Sequence, residues 1–328
     1  MKKTGSMFVN FLTLAGLMLM LSACGGGGDS SSGSGSLSLG LTDGPVDDLD
    51  QVVVTFTEVI VHPAGGGEDL TFDMTEGGIT SGVSVDLKTL SQGNSIRLLE
   101  DEPLPAGNYS WIRLVINPAM TYVVEDVGGG QLLLDCSSCD ETHLKLNRSF
   151  NITAAGLVDF TIDFDLRKSI TLQQPNKVPY TDYQYKLRPT LRIIETQVAS
   201  AYISGTVEQA LVDPASPPAT LPDACVVYVY TGDENTVVPD DICVNDQTPA
   251  ACPDADRPLT TADVMLDTNT GFYAYQTGYL YPGTYTVALL CEADVADADD
   301  AVTFLGEAQV DAVAGDNPHD FTAPIEPL

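Results

Sequence analysis

The stretch "QVVVTFTEVIVH", residues 51–62, is rich in β-branched residues and predicts one long β-strand. Its apolar residues form two sets of opposite parity, first Val52, Val54 and Phe56, and then Val59 and Val61. Because successive side chains of a strand point to opposite faces, one extra residue between the two sets would bring both to the same core. We therefore predict a β-bulge near Thr57–Glu58. The alternative is a strand that is partly buried on both faces.

Strand-like segments continue on both sides of this stretch. Short runs of β-branched and aromatic residues recur, separated by Gly, Pro, Asn and Asp, and long helix-period stretches are absent after the N-terminal region. This pattern predicts an all-β chain with two β-sandwiches, Ig-like or transthyretin-like, over residues 37–198 and 201–328.

Charged and apolar residues alternate in "VDFTIDFDLRKS", residues 158–169. One face of the predicted strand carries Phe160, Ile162, Phe164 and Leu166, and the other carries Asp159, Asp163, Asp165 and Arg167. A second strand, predicted over residues 184–196, has Lys186, Arg188 and Arg192 on one face. If the two strands are neighbours, acid faces base across the sheet, which favours a structural charge ladder over a metal site.

The N-terminal residues 1–23 have the order of a secretory signal peptide. Lys2 and Lys3 precede an apolar run that is too short for a settled transmembrane helix. Leu21-Ser22-Ala23-Cys24 then resembles a bacterial lipobox, and the resemblance implies cleavage before Cys24 and acylation of this residue. An ordinary secretory peptide with a chance cysteine is the alternative.

The segment 24–36 combines the lipidated cysteine with a run of almost pure Gly and Ser. Such a run is a flexible linker with an r.m.s. reach of roughly 20 Å. Gly25 stands where enteric lipoproteins of the inner membrane carry Asp, so the resemblance points to the outer membrane. We therefore expect a protein anchored there by its N-terminal lipid, on the periplasmic or the cell-surface face.

The chain is strongly acidic, with 14 basic and 46 acidic residues and a formal net charge of −32. From Ala201 to the end, Arg257 is the one basic residue against 22 acidic ones. Such a surface repels nucleic acid and anionic lipid, so we expect no nucleic-acid partner. It suits a saline or calcium-rich exterior, although solubility alone would also explain it.

Seven cysteines minus Cys24 leave six, which we expect to pair in an oxidising compartment. Cys136 and Cys139 lie between two strand-like runs and predict a disulfide at a hairpin tip. A redox pair, or a zinc site that includes His143, are the alternatives. The remaining cysteines, Cys225, Cys243, Cys252 and Cys291, allow three connectivities. We expect Cys225–Cys291 to join the start of one strand to the end of its antiparallel neighbour, with Cys243–Cys252 closing the loop between them.

Four separated motifs occur in order within residues 37–196: "LSLGLTDGPVDDLDQVVVTFTEVIVHPAGG", "LPAGNYSWIRLVI", "FTIDFDLRKSI" and "YKLRPTLRII". Together they resemble domain-of-unknown-function family 4382 of bacterial lipoproteins, which implies an exported, mostly β domain with no assigned activity. Further on, "ISGTV" (203–207) and "TNTGFYAYQTGYLYPGTYTVALL" (268–290) are similar to the carboxypeptidase regulatory-like, transthyretin-like modules. This second resemblance implies a non-catalytic accessory or spacer.

Catalytic motifs are absent from the sequence, which contains no nucleophile elbow, metalloprotease helix, phosphate loop or dinucleotide fingerprint. The turn "TDGPVDDLD" offers Asp43, Asp47, Asp48 and Asp50 as oxygen ligands, so calcium is the one cofactor under consideration. A Pro-Asp turn with Asp caps is the alternative, and the acidic run 292–300 has the same two interpretations. His62 ends a strand before a turn, and we expect it to bond the turn backbone rather than to act as a catalytic base.

These observations predict a non-catalytic, lipid-anchored envelope or surface protein that binds a glycan or a protein. A structural component of the envelope or matrix is the first alternative, and a hydrolase with unrecognised carboxylate chemistry is the second. A groove lined by exposed tyrosines, for example Tyr180, Tyr183 and Tyr185, would favour glycan binding.

The lipid anchor is testable with Cys24→Ser, which removes the acylated thiol. This variant is expected to be released from membranes without detergent, because the remaining chain has no acyl group to bury. Membrane fractionation with a mass measurement of the N-terminus checks the outcome. Persistent membrane association of a variant whose signal peptide has been removed would contradict lipid anchoring.

Overall fold

In the computed structural model of the chain, the opening stretch forms most of the strand β2 (Leu49–Pro63). This strand is paired along both of its edges, in each case with two strands in succession. Its partners are β3 (Leu70–Asp73) and β4 (Val83–Asp86) on one edge, and β6 (Gly107–Ile116) and β7 (Tyr122–Glu125) on the other. β2 is therefore the strand around which the larger sheet is organised.

The bulge predicted at Thr57–Glu58 is confirmed. Phe56 is paired with Ile116 and Glu58 with Val115, so Thr57 is the extra residue opposite β6. On the other edge, the Met74 backbone N–H donates to the Thr57 carbonyl at 2.8 Å. The bulge brings residues of both parities into one core, since the following are all buried: Val52, Val54, Phe56, Val59 and Val61.

The structure describes residues 33–44, 46, 49–75, 82–125, 129–136, 144–172, 185–212, 225–242, 257–292, 294 and 301–323. The other strands within these residues are β1 (Ser34–Gly44), β5 (Ile96–Pro105), β8 (Gln131–Asp135), β9 (Leu144–Leu146), β10 (Phe150–Ile152), β11 (Leu157–Asp165), β12 (Ile170–Leu172), β13 (Tyr185–Leu187), β14 (Leu191–Glu195), β15 (Ala201–Val207), β16 (Val226–Thr231), β17 (Thr260–Asp263), β18 (Met265–Leu266), β19 (Tyr273–Gln276), β20 (Gly283–Leu290), β21 (Gly306–Ala312) and β22 (Gly315–Pro318). Short helical turns are α1 (Leu166–Ser169), α2 (Gln209–Val212) and the 3-10 turns Leu87–Leu90 and Pro118–Met120. The chain thus has the predicted all-β fold.

The first β-sandwich consists of a small and a large sheet. The small sheet has the order β14-β11-β1-β5, and the large sheet has the order β10-β6-β2-β7-β8-β13-β12, with β3 and β4 on β2 and β9 on β6. Alternate residues of β1 and β11 meet the large sheet in one buried core: Leu37, Leu39, Leu41, Phe160, Ile162 and Phe164. Each fully buried side chain of this kind contributes roughly 1.5–3 kcal/mol.

The second β-sandwich has the sheets β18-β19-β15-β22 and β17-β16-β20-β21. Its core residues come from both sheets and include Ile203, Val207, Val227, Val229, Val287 and Leu289. β14 ends at Glu195 and β15 begins at Ala201, so the boundary drawn from the sequence falls between the two pairs of sheets.

The disulfide expected between Cys225 and Cys291 is present. β16 and β20 are antiparallel, and Val226 is paired with Leu290, so the two cysteines flank neighbouring strand ends. Cys136 is also disulfide-bonded. The other cysteines of the predicted pairs, Cys139, Cys243 and Cys252, lie outside the described residues, so those two disulfides stay predictions.

The two sandwiches belong to one compact unit, Ser32–Leu328, and an ion pair lies where they meet. Arg192 of β14 donates from Nη2 to Oδ2 of Asp163 in β11 at 2.6 Å. The same Nη2 donates to the Tyr279 carbonyl of the second sandwich at 3.2 Å. Of the predicted ladder of acid opposite base, β11 and β14 form this one pair in the described residues, because Lys186 belongs to β13 of the large sheet and Asp159 pairs with Arg97. The Asp163–Arg192 pair also contacts the second sandwich.

The helical turn α1 contributes two further buried cations to this junction. Lys168 Nζ donates to the Pro258 carbonyl at 2.7 Å and lies 2.8 Å from the Asp165 carboxylate. Arg167 Nη1 donates at 3.2 Å to the phenol oxygen of Tyr228. Removing one partner of a buried charge pair commonly costs about 3–5 kcal/mol. The two sandwiches therefore stabilise each other.

Tyr228 links this junction to the second sandwich. Its hydroxyl donates to Oδ2 of Asp294 at 2.5 Å, and the Ile242 backbone N–H donates to the same oxygen at 2.8 Å. Burial, the largest effect, raises the pKa of the Tyr228 phenol, so the hydroxyl remains protonated and keeps its role as donor.

The prediction of one continuous strand over residues 184–196 is wrong. The segment is divided between β13 in the large sheet and β14 in the small sheet. Pro189 lies at the break, and it has no backbone N–H with which to continue a ladder. The flanking N–H groups are bonded by Ser169, whose carbonyl accepts from Arg188 at 2.7 Å and whose hydroxyl accepts from Thr190 at 2.8 Å.

Gly82 allows β4 to approach the bulge, and its replacement tests the bulge directly. Its φ is 90°, and an added Cβ would clash with the Phe56 carbonyl oxygen. Gly82→Ala is expected to lower the free energy of unfolding by about 3 kcal/mol, which combines roughly 1–2 kcal/mol of strain at positive φ with a steric overlap of similar size.

Gly66→Ala is the matched control, because Gly66 has a φ of 80° and no described atom within 4 Å of an added Cβ. In this variant the free energy of unfolding should fall only by the contribution of backbone strain at positive φ, about 1–2 kcal/mol. Urea unfolding of the mature chain carrying Cys24→Ser measures both values. Equal losses in the two variants would contradict a close contact at the bulge.

Candidate functional site

The bulge in β2 places His62 on the outer face of the large sheet. After Thr57 the odd-numbered residues Val59 and Val61 are buried, so the even-numbered ones face away from the core. His62 is paired with Trp111 of β6, the single tryptophan of the chain. Two residues further along β6, Arg113 is paired with Lys145 of β9. We name the four side chains His62, Trp111, Arg113 and Lys145 the Trp111 cluster.

Three side chains of the cluster pack against the indole ring. The rings of His62 and Trp111 are stacked, with centroids 4.7 Å apart and planes within 4°. The guanidinium carbon of Arg113 and the Nζ of Lys145 each lie 4.6 Å from the centroid of the indole. Cation–π contacts at exposed sites contribute about 0.5–1 kcal/mol each. The cluster is therefore a defined arrangement on three rigid strands rather than a set of independent surface residues.

His62 has a different partner from the one expected. Its Nδ1 lies 2.6 Å from Oδ1 of Asp69, and its ring stacks on Trp111. The prediction that it bonds the turn backbone is wrong, because the turn returns a carboxylate to within reach of the imidazole. Asp69 fixes the orientation of the ring that supports the indole.

The two cations of the cluster differ from four other cations in the described part of the chain. These four lie within ion-pair distance of a carboxylate: Arg97, Arg148, Lys168 and Arg192. Arg113 and Lys145 make no ion pair with any described residue. The Nε of Arg113 is buried and has no hydrogen-bond partner there. Within the described residues, two neighbouring cations thus have no carboxylate partner, in a chain whose net charge is −32.

Polar groups extend the cluster along β6. Asn108 is paired with Asn151 of β10, and both side chains are exposed. Asn151 Nδ2 donates to Oδ1 of Asn108 at 2.8 Å and to the Gly107 carbonyl at 3.2 Å. An indole, a cation and an amide therefore follow one another along β6, and the second cation and the second amide lie beside them on β9 and β10.

Part of this site has a signal in the sequence. In "SWIRLVI", Trp111 and Arg113 alternate with Ile112 and Leu114, which predicts a common face for the aromatic ring and the cation. Lys145 could not be assigned to that face, because its position depends on the pairing of β9 with β6.

The acidic residues considered for calcium are only partly described. Asp47 and Asp48 lie outside the described residues, Asp43 belongs to β1, and Asp50 is exposed in β2. Among the residues that the structure describes, no three His, Cys, Asp or Glu side chains are grouped so as to hold a metal ion. Calcium binding stays a prediction. In the acidic run 292–300, Asp294 is buried and serves the junction between the sandwiches.

The other residues considered for a tyrosine-lined groove or, as the alternative at Cys136 and Cys139, a zinc site lie mostly outside the described residues. Tyr180, Tyr183 and His143 lie outside the described residues. Tyr185 is described, and its hydroxyl donates to Oε1 of Glu125 at 3.0 Å. None of the helices in the described part of the chain is long and apolar enough to cross a membrane.

Comparison with protein families identifies the first half of the chain. Residues 34–189 match the model of the family described as Domain of unknown function (DUF4382). The resemblance drawn from the four motifs is thereby confirmed for the first sandwich. The resemblance of the second sandwich to carboxypeptidase regulatory-like modules stays a prediction. No curated protein matches the chain.

Two solved structures are distantly similar to the chain. A leucine-rich repeat protein from Bacteroides thetaiotaomicron VPI-5482 is 11% identical, with a TM-score of 0.20, and the match covers 90% of this chain and 26% of that one. A protein described as a "putative adhesin" from Bacteroides ovatus ATCC 8483 is 10% identical, with a TM-score of 0.20, and the match covers 96% and 95% of the two chains. The chain thus spans about a quarter of the leucine-rich repeat protein. At these TM-scores the likeness carries no argument about function.

Proposed function

We propose that this chain is a non-catalytic binding protein, held at the outer membrane by acyl chains on Cys24, and that it binds its ligand through the Trp111 cluster. The observation that carries the proposal is the half-buried indole with two cations that lack a carboxylate partner among the described residues. Tryptophan and arginine are the residues most enriched where binding energy is concentrated.

The sequence of the N-terminal segment supports the anchor. The lipobox-like Leu21-Ser22-Ala23-Cys24 precedes a Gly/Ser linker, and a linker of that length lets a folded domain move roughly 20 Å from its attachment point. Acyl chains on Cys24 would supply stable attachment, since two or more lipid groups suffice for it. The linker would let the binding face turn toward its ligand.

The packing of the two sandwiches supports a division of roles. The second sandwich contacts the small sheet of the first, for example where Arg192 donates to the Tyr279 carbonyl and where Gly278 approaches Thr42. The Trp111 cluster lies on the outer face of the large sheet, which is the opposite side of the first sandwich. The second sandwich is then an accessory or spacer of the carboxypeptidase regulatory-like kind, on the side of the first sandwich that faces away from the Trp111 cluster.

Trp111→Ala tests this function on an array of glycans and extracellular proteins probed with the mature chain carrying Cys24→Ser. The wild-type sequence is expected to bind at least one arrayed ligand, and the variant to bind it about thirtyfold more weakly. This corresponds to a loss of about 2 kcal/mol for a central aromatic residue. Surface-based titration of the bound ligand gives the two dissociation constants.

Phe272→Ala is the matched control, because it removes an exposed aromatic ring from the second sandwich. Its binding should equal that of the wild-type sequence. The proposal fails if no arrayed ligand binds, if Trp111→Ala binds as the wild type does, or if both variants weaken binding equally.

A further inference from the structure

We infer that the ligand of the Trp111 cluster is an acidic polysaccharide with carboxylate-bearing sugar rings, bound as an extended chain along β6. The inference rests on the proposed function and names its ligand class. Three features of the described residues point to it: the positive charge of Arg113 and Lys145, the indole on which both cations lie, and the exposed amides of Asn108 and Asn151 beside them.

The charge of the cluster favours an anion of modest charge density. Arg113 and Lys145 are directly paired across β6 and β9, so their charges act at one place. The acidic excess of the chain opposes any polyanion at long range, but charges further away than about 8–10 Å are screened at physiological salt. Two cations match the carboxylates of one or two sugar rings. They do not match a nucleic-acid duplex, which carries one charge per about 1.7 Å.

The order of the side chains favours an extended polymer. Arg113, Trp111 and Asn108 follow one another on the outer face of β6, and the five steps from first to last span about 17 Å. A chain of several sugar rings lies along such a track. Carboxylates would meet the two cations that lie over the indole, and hydroxyls would bond the amides of Asn108 and Asn151. Each contact uses groups that already lie on rigid strands.

The composition of the same face disfavours a protein partner. The core of a protein interface is more apolar than the rest of the surface. The exposed large apolar side chains of the described residues lie elsewhere: Met120, Leu157, Val198, Val238, Met265, Leu266, Phe272 and Val313. The side chains against the indole are instead the imidazole of His62 and the cations of Arg113 and Lys145, and the latter two suit a ligand that bears carboxylates.

Trigalacturonate and its methyl ester form the matched pair of probes, because they share the same sugar rings and the ester replaces each charged carboxylate by a neutral group that is larger by one methyl. Binding to the mature chain carrying Cys24→Ser is measured in EDTA by the emission of Trp111, which is the only tryptophan. The free acid is expected to bind at least tenfold more tightly than the ester. Raising the salt concentration should weaken the binding of the acid and leave the binding of the ester unchanged.

In the double variant Arg113→Gln/Lys145→Gln, calorimetry should show that the acid no longer binds more tightly than the ester. Lys186→Gln is the control, since Lys186 is another lysine with no ion pair to a described residue, and it should keep the full preference. Triglutamate supplies the carboxylates without the sugar rings and is expected not to bind measurably.

The outcomes separate this inference from the proposed function. Equal binding of acid and ester, lost in Trp111→Ala, would overturn the acidic class and leave the binding function intact. If triglutamate binds as tightly as trigalacturonate, the inference of a sugar ligand is overturned and the result points to an acidic peptide. Failure of both sugars to bind overturns the inference. In that case the proposed function still holds if Trp111→Ala weakens binding of a ligand on the array. If no array ligand depends on Trp111, both the inference and the proposed function are contradicted.

Discussion

One extra residue in β2 sets the arrangement of the first sandwich. Thr57 shifts the side-chain parity of the strand, so that Phe56 before it and Val59 after it both enter the core. The same shift turns His62 outward to stack on Trp111. The chain changes pairing partners close to this point on both edges of β2, from β7 to β6 and from β4 to β3. The bulge at Thr57 thus completes the core and also positions His62 in the surface where binding is proposed.

The charges of the molecule are used in two different ways. On the small sheet, Arg192 is bonded to the buried Asp163 and donates across the junction to the second sandwich, as Lys168 of α1 also does. On the large sheet, Arg113 and Lys145 rest on an aromatic ring and lack a carboxylate partner among the described residues. Burial requires partners for charge, whereas an uncovered cation keeps its capacity for a ligand. This contrast is the physical basis for assigning a structural role to the charges at the junction and a binding role to the cations on the large sheet.

Local patterns in the sequence predicted what depends on local geometry. The bulge followed from parity within twelve residues, the all-β class from short strand runs, and Cys225–Cys291 from the ends of two strands. The continuous strand over residues 184–196 was wrong, because a proline break and a change of sheet depend on the tertiary fold. The Trp111 cluster depends on the pairing of β2, β6 and β9, which local sequence patterns do not predict. Only the alternation around Trp111 and Arg113 is visible in the sequence. The anchor at Cys24 and the calcium ligands Asp47 and Asp48 lie outside the described residues and stay predictions.

The most direct test of binding at Trp111 is a ¹⁵N–¹H spectrum of the mature chain, which contains one indole N–H signal because the chain has a single tryptophan. The chain is titrated with trigalacturonate while this signal and the backbone amides of β6 are followed. The account predicts that the indole signal moves and saturates together with the amides around Asn108, Trp111 and Arg113. A stationary indole signal while amides of another surface move would place the ligand elsewhere and contradict the account.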